Sequence, residues 1–268
     1  MPWPFEREYM QLALVAGIVV GACAPLIGVF LVQRRLSLMG DGLGHIAFAG
    51  VGIGAIVGVW PVWTALVAAV VASLIIERLR SRGTAQGDVA LALFFYGGIA
   101  LGVVLISAAN DLDSSLLAYL FGQILTVERP EVVLVTVLGG VIAATVLVCG
   151  RALFAMAVDE EWARVAGLPV ALLNNILAVL TAVTVVVTMR VVGILLVAAL
   201  MVVPVAVAQV VARSQKAILV WSIVVGVASV VVGLAVARIG DLAPGGTIVL
   251  VAVAAFACAS VGERVLAR

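Results

Sequence analysis

The sequence predicts an all-α polytopic membrane protein, and three observations carry that prediction. Of 268 residues, 65% are apolar and 11% charged, against about 45–50% and 25% in soluble domains. Apolar runs long enough for a hydrocarbon layer of roughly 30 Å recur along the whole length. These runs are continuous and lack the two-residue alternation of a transmembrane barrel. The chain therefore reads as a single transmembrane domain over residues 1–268, with no soluble domain.

Nine long spans are expected, at about 11–32, 38–58, 62–76, 86–108, 131–150, 170–188, 191–212, 217–237 and 246–263. The first follows Glu6, Arg7 and Glu8, which lack the basic start of a cleaved signal, so it is expected to remain in the membrane. The second is rich in glycine. The third opens at Trp60, Pro61 and Trp63, an interfacial turn, and Asp88 is expected to cap the fourth. Between the fourth and fifth lies an apolar stretch at 114–126, which reaches only about 20 Å as a helix and is expected to be re-entrant or interfacial. A tight turn with Arg190, expected to snorkel, joins the sixth and seventh spans. Gly193 and Pro204 are the candidate kink or gating positions of the seventh. Asp241, Pro244 and Gly245 form the last outer turn, a candidate contact for an extracellular partner.

Nine spans put the termini on opposite sides, and the positive-inside rule is expected to set the N-terminus outside and the C-terminus in the cytoplasm. Eleven of the fifteen basic residues then lie on the cytoplasmic side, leaving Arg7, Arg129, Arg190 and Arg238 outside. A full span at 114–126 would invert the rest and expose Arg213, Lys216, Arg264 and Arg268. A multi-pass protein of a cell membrane, surrounded by lipid, is expected.

The segment from Arg34 to His45 carries a carboxylate and the only histidine into an apolar run. On a helix, Asp41 and His45 share one face, one turn apart. A carboxylate inside a bilayer costs roughly 2.5–3.5 kcal/mol on insertion scales, so it ordinarily has a partner or a job. One oxygen and one imidazole nitrogen make half of a divalent-metal site. Helix anchoring and a carbonyl bond to His45 are the structural alternative. Glycines 40, 42, 44, 50, 52, 54 and 58 permit close helix packing, or room for a path beside the pair.

A second stretch, 158–169, reads as a short helix. Asp159 is a fitting N-cap, Glu160 and Glu161 fill the first turn, and Gly167 and Pro169 end it. Trp162, Val165 and Ala166 give it an apolar face, suited to a partner protein or to the lipid surface. Cys23, Cys149 and Cys258 lie singly in apolar runs and read as small core residues. No HExxH, second histidine or GxxxxGK[ST] phosphate loop occurs, so neither catalysis nor ATP hydrolysis is expected of this chain. A net charge of +1 gives no reason to expect nucleic acid.

At these residues the chain resembles the permease family of bacterial ABC importers for zinc, manganese and iron. The matching segments are RRLSLMGDGLGHIAFAGVGIG (34–54), LLAYLFGQIL (116–125), VDEEWARVAGL (158–168), VVGILLVAALMVVPVAVA (191–208) and LAPGGTIVL (242–250). The resemblance implies a permease dimer, two cytoplasmic ATP-binding subunits and an extracellular metal-binding protein. It implies no permanently bound cofactor, the divalent metal being cargo. It matches the family's second-helix acid and histidine to Asp41 and His45. Its ATPase-contacting helix corresponds to 159–167, with Asp159, Glu160, Glu161, Trp162, Arg164, Ala166 and Gly167. Some zinc-type relatives carry a further histidine in the fourth span, where this chain reads Leu91 to Gly97 without one. A siderophore or corrinoid permease and an ion-coupled secondary transporter remain as alternatives.

Overall fold

The computed structural model describes residues 6–81, 87–108, 120, 122 and 127–266. Among them the secondary structure is helical, without strands. In chain order the helices are α1 (Glu8–Gln33), α2 (Met39–Val57), α3 (Pro61–Ser81), α4 (Gly87–Ala108) and α5 (Arg129–Val158). There follow α6 (Glu160–Val165), α7 (Val170–Val192), α8 (Val197–Val211), α9 (Gln215–Gly240) and α10 (Pro244–Leu266). Nine helices among the described residues, all but α6, are long and apolar enough to cross a membrane. The 114–126 stretch, apart from Leu120 and Gly122, lies outside the described residues, as does the Asp88 side chain.

Helix α1 is the most enclosed span and packs on α5, α7, α8 and α9. Helix α2 lies between α3, α4, α7 and α8. Outward faces carry exposed apolar side chains such as Leu93, Leu147, Val148 and Leu250, which suits a lipid surround rather than water. Two glycines show why helices approach so closely here. A Cβ on Gly50 would sit 2.7 Å from Ala65 Cα of α3, and one on Gly98 would sit 2.9 Å from the His45 carbonyl carbon. At these two sites glycine is required by packing.

Several helices outrun their predicted limits because polar side chains at the ends find partners. Helix α3 continues to Ser81, where Arg80 grips Glu77 through Nε and Nη2 at 3.0 and 2.9 Å. Helix α5 begins with a capping box between Glu128 and Glu131 and runs on to Val158, directly ahead of α6. Helix α9 starts two residues early because the Ser214 hydroxyl accepts from the Ala217 N–H at 3.2 Å.

One expectation is corrected, and the chain breaks at one of the two candidate kink positions. Arg190 is not in a turn and does not simply snorkel: it ends α7 and pairs with Glu131 of α5, both largely buried. The seventh span is interrupted at Gly193, with φ 91° and ψ 155°, where a 3-10 turn (Ile194–Leu196) precedes α8. Pro204 lies inside the continuous helix α8. A non-glycine residue is strained at the Gly193 backbone angles, whereas Pro204 costs α8 a backbone donor and crowds the preceding turn without ending the helix.

The glycine contacts give a stability prediction. Gly50→Ala must push α2 from α3 and is expected to cost about 1–3 kcal/mol, the usual range for overpacking. Gly97→Ala, with nothing within 4 Å, is expected to be neutral. Thermal unfolding of both variants in detergent checks the contrast.

Candidate functional site

Asp41 lies in the first turn of α2 and His45 one turn further in, about 6 Å along the axis. Leu38 occupies the N-cap position with no side-chain cap bond, so Asp41 is not spent on capping. Its carboxylate is half-buried and has no hydrogen bond or ion pair among the described residues. The His45 residue is 8% exposed, and its ring meets Phe95 of α4 edge-on, with centroids 4.7 Å apart. Phe95 in turn meets the exposed ring of Tyr96 edge-on at 5.2 Å.

Both flanks of α2 are covered at this level. On one side, the Gly98 backbone of α4 lies against the His45 peptide. On the other, a Cβ on Gly44 would meet Ile194 of the 3-10 turn at 3.3 Å, and one on Gly40 would meet Met201 and Ala198 of α8 at 3.2–3.4 Å. The acid–imidazole pair thus neighbours the Gly193 break. Further along α2 a Cβ on Gly50 would press on the backbone of α3, but at 40 and 44 the nearest atoms leave almost enough room for a methyl group. Among the described residues, no group of three or more His, Cys, Asp or Glu side chains stands ready to hold an ion. The pair supplies two donors and remains incomplete alone.

The second stretch folds as its sequence implies. The Asp159 carboxylate accepts from the Trp162 N–H at 2.8 Å. At the other end Gly167, with φ 81°, closes α6 through Leu168 N–H to Ala163 O at 3.0 Å and Gly167 N–H to Arg164 O at 3.1 Å, a Schellman closure. The helix has two faces. Glu161, Trp162, Arg164, Val165, Ala166 and Gly167 are exposed, Trp162 by 61% and Val165 by 89%. Ala163 is fully buried, and Glu160 turns inward.

Sequence reasoning missed what Glu160 meets. Its Oε2 accepts from Arg34 at 2.7 Å and lies 3.8 Å from Arg80, while Oε1 lies 3.3 Å from Arg164. Arg34 also donates to Asn174 Oδ1 of α7 at 2.5 Å. Burial draws the Arg34 guanidinium below its ordinary pKa and the neighbouring Arg80 charge adds to that, while Glu160 and Glu77 oppose both. A guanidinium starts so high that it stays charged at any physiological pH. Beside this cluster, Gln33 at the end of α1 donates to Gln215 of α9 at 2.6 Å. The available signal was Asn174 within an apolar run and Glu77 three residues before Arg80. Counted only as loop charges, the arginines gave no hint of their partners.

Residues 6–263 match the ABC 3 transport family. The chain belongs to that family. It is a transport permease rather than an enzyme. It is 31% identical to a manganese transport system membrane protein, MntC, of Halalkalibacterium halodurans, over 94% of this chain and 86% of that protein. It is 28% identical to the high-affinity zinc uptake system membrane protein ZnuB of Haemophilus influenzae, over 91% and 93% respectively. Among solved structures, PsaBC from Streptococcus pneumoniae in complex with Fab aligns with a TM-score of 0.85 and 30% identity, covering 95% of this chain and 91% of that one. The ABC 3 permease is thus a multi-pass membrane protein of a transport system, with a nine-span helical architecture among its described residues.

Because the chain has one histidine, its access can be read without ambiguity. Phe95→Ala removes the ring that covers His45 and is expected to speed acylation of His45 by diethyl pyrocarbonate several-fold, as measured by mass spectrometry. An unchanged rate would show that Phe95 does not cover the imidazole.

Proposed function

We propose that this permease forms, as a dimer, the translocation path of an ATP-driven importer of a divalent transition metal: zinc, manganese or ferrous iron. The whole of 1–268 acts as one transmembrane domain, with the N-terminus outside and the C-terminus in the cytoplasm. Asp41 and His45 are the cation contacts. The observation that carries this reading is a half-buried carboxylate in the first turn of a span and a buried imidazole one turn further in, with no hydrogen-bonding partner among the described residues. Such groups in a membrane interior mark ion pathways more often than structural sites. Relatives named for manganese and zinc transport support the cargo class.

A pair of two donors suits passage. Mixed oxygen and nitrogen ligation accepts all three metals, and a site short of ligands binds weakly enough to release its ion. Backbone carbonyls, water or the second copy would supply the remaining ligands. An extracellular metal-binding protein delivers the ion at the outer face, where Asp241 and the turn through Pro244 and Gly245 lie. The exposed face of α6, with Glu161, Trp162 and Arg164, docks on a cytoplasmic ATP-binding subunit, and Asp159, Ala166 and Gly167 hold that helix in shape. Gly193 is the hinge beside the pair, with Pro204 further along the same segment.

In cells lacking their own importer and supplied with this permease and its partners, Asp41→Asn and His45→Gln are each expected to cut radiolabelled manganese or zinc uptake more than tenfold, equivalent to more than about 1.4 kcal/mol. Immunoblotting of membranes is expected to show unchanged protein. Wild-type uptake by both variants would overturn the assignment of the pair.

A further inference from the structure

We propose that Glu160 and Arg34 form a latch that carries movement of α6 to the α1–α2 turn, and so to the end of α2 that bears Asp41. The inference rests on α6 being the ATPase-contacting helix, and it assigns Glu160 a different task from its neighbours. Glu161, Trp162, Arg164 and Val165 face outward, where a partner can push. Glu160 faces inward and grips a guanidinium that is 5% exposed. Glu160 is therefore a positioning residue and makes no contact with cargo.

Three features make the link stiff. Arg34 is a planar fork held at two points, by Glu160 at 2.7 Å and by Asn174 at 2.5 Å, which a flexible ammonium would not reproduce. The turn after it has no slack. Leu36 N–H bonds Leu31 O at 2.8 Å, Arg35 N–H bonds Val32 O at 3.1 Å, and Met39 N–H bonds Leu36 O at 3.0 Å. Arg35 adopts φ 59° without being glycine, a conformation that surrounding structure must hold in place. Displacing Arg34 therefore displaces Met39, the first residue of α2, two positions before Asp41.

A third anchor comes from α3. Arg80 is clamped by Glu77, which is itself buried, and reaches to 3.8 Å from Glu160. The carboxylate of α6 thus sits between guanidiniums from two spans, while its bond to exposed Arg164 adds little. Arg34 is the buried member, and removing the carboxylate of Glu160 is costly because it strands that guanidinium. Movement of α6 is consequently transmitted in preference to breaking the pair.

The test uses the full chain reconstituted in proteoliposomes with its ATP-binding subunits, reading metal uptake and ATP hydrolysis together. Glu160→Gln is expected to keep most of the hydrolysis while uptake per ATP falls roughly tenfold, within the range by which network residues alter coupling. Glu160→Asp, which keeps the charge, is expected to recover part of it. Arg34→Lys loses the fork but not the charge and is expected to uncouple in the same way, which keeps the test open if Glu160→Gln does not reach the membrane. Unchanged uptake per ATP in Glu160→Gln and Arg34→Lys would overturn the latch and leave the importer reading intact. Absence of ATP-driven uptake by the wild-type complex would overturn both.

Discussion

A membrane interior offers no water to a polar group, so each such group must be paired or must justify its exposure by function. This constraint organises the chain. Charged residues at the helix ends find partners: Glu131 with Arg190, Glu8 with Arg129, and Glu160 with Arg34. Threonines 181, 184 and 188 of α7 bond back to carbonyls of their own helix at 2.7 Å. Against that background Asp41 and His45 stand apart. They are held in a packed helix by glycine contacts, yet no hydrogen bond among the described residues satisfies them.

The architecture around the pair follows from how closely helices approach. Gly98 lets α4 lie on the α2 backbone at His45, and the Gly193 break puts the 3-10 turn against Gly44 on the opposite flank. One neighbour is a continuous helix carrying a stack of aromatic rings, and the other is a discontinuity. The collar at the α6 end joins α1, α3, α6 and α7 through Arg34, Arg80, Glu160 and Asn174.

The span pattern was legible because hydrophobicity is a local property, summed over each stretch of chain. The small helix at 160–165 was legible for a similar reason, since Asp159 and Gly167 act on groups within five residues of themselves. Gly193 and Pro204 both pointed to this segment, but that the chain breaks at Gly193 depends on the φ this residue adopts in its tertiary setting. Arg190 was misjudged because its partner lies 59 positions away in sequence, on α5. The same holds for Arg34 and Glu160, separated by 126 positions. Sequence showed that each was charged and near an interface, but pairing across such distances is set by how the spans pack.

The most direct measurement follows from the presence of one histidine in the chain. The permease is prepared with 15N-labelled histidine and without a histidine tag, loaded with Mn2+ and examined by pulsed electron–nuclear double resonance. The account predicts a 15N coupling from imidazole that disappears in His45→Gln. A manganese spectrum showing water and oxygen ligands alone, identical in the two proteins, would contradict it.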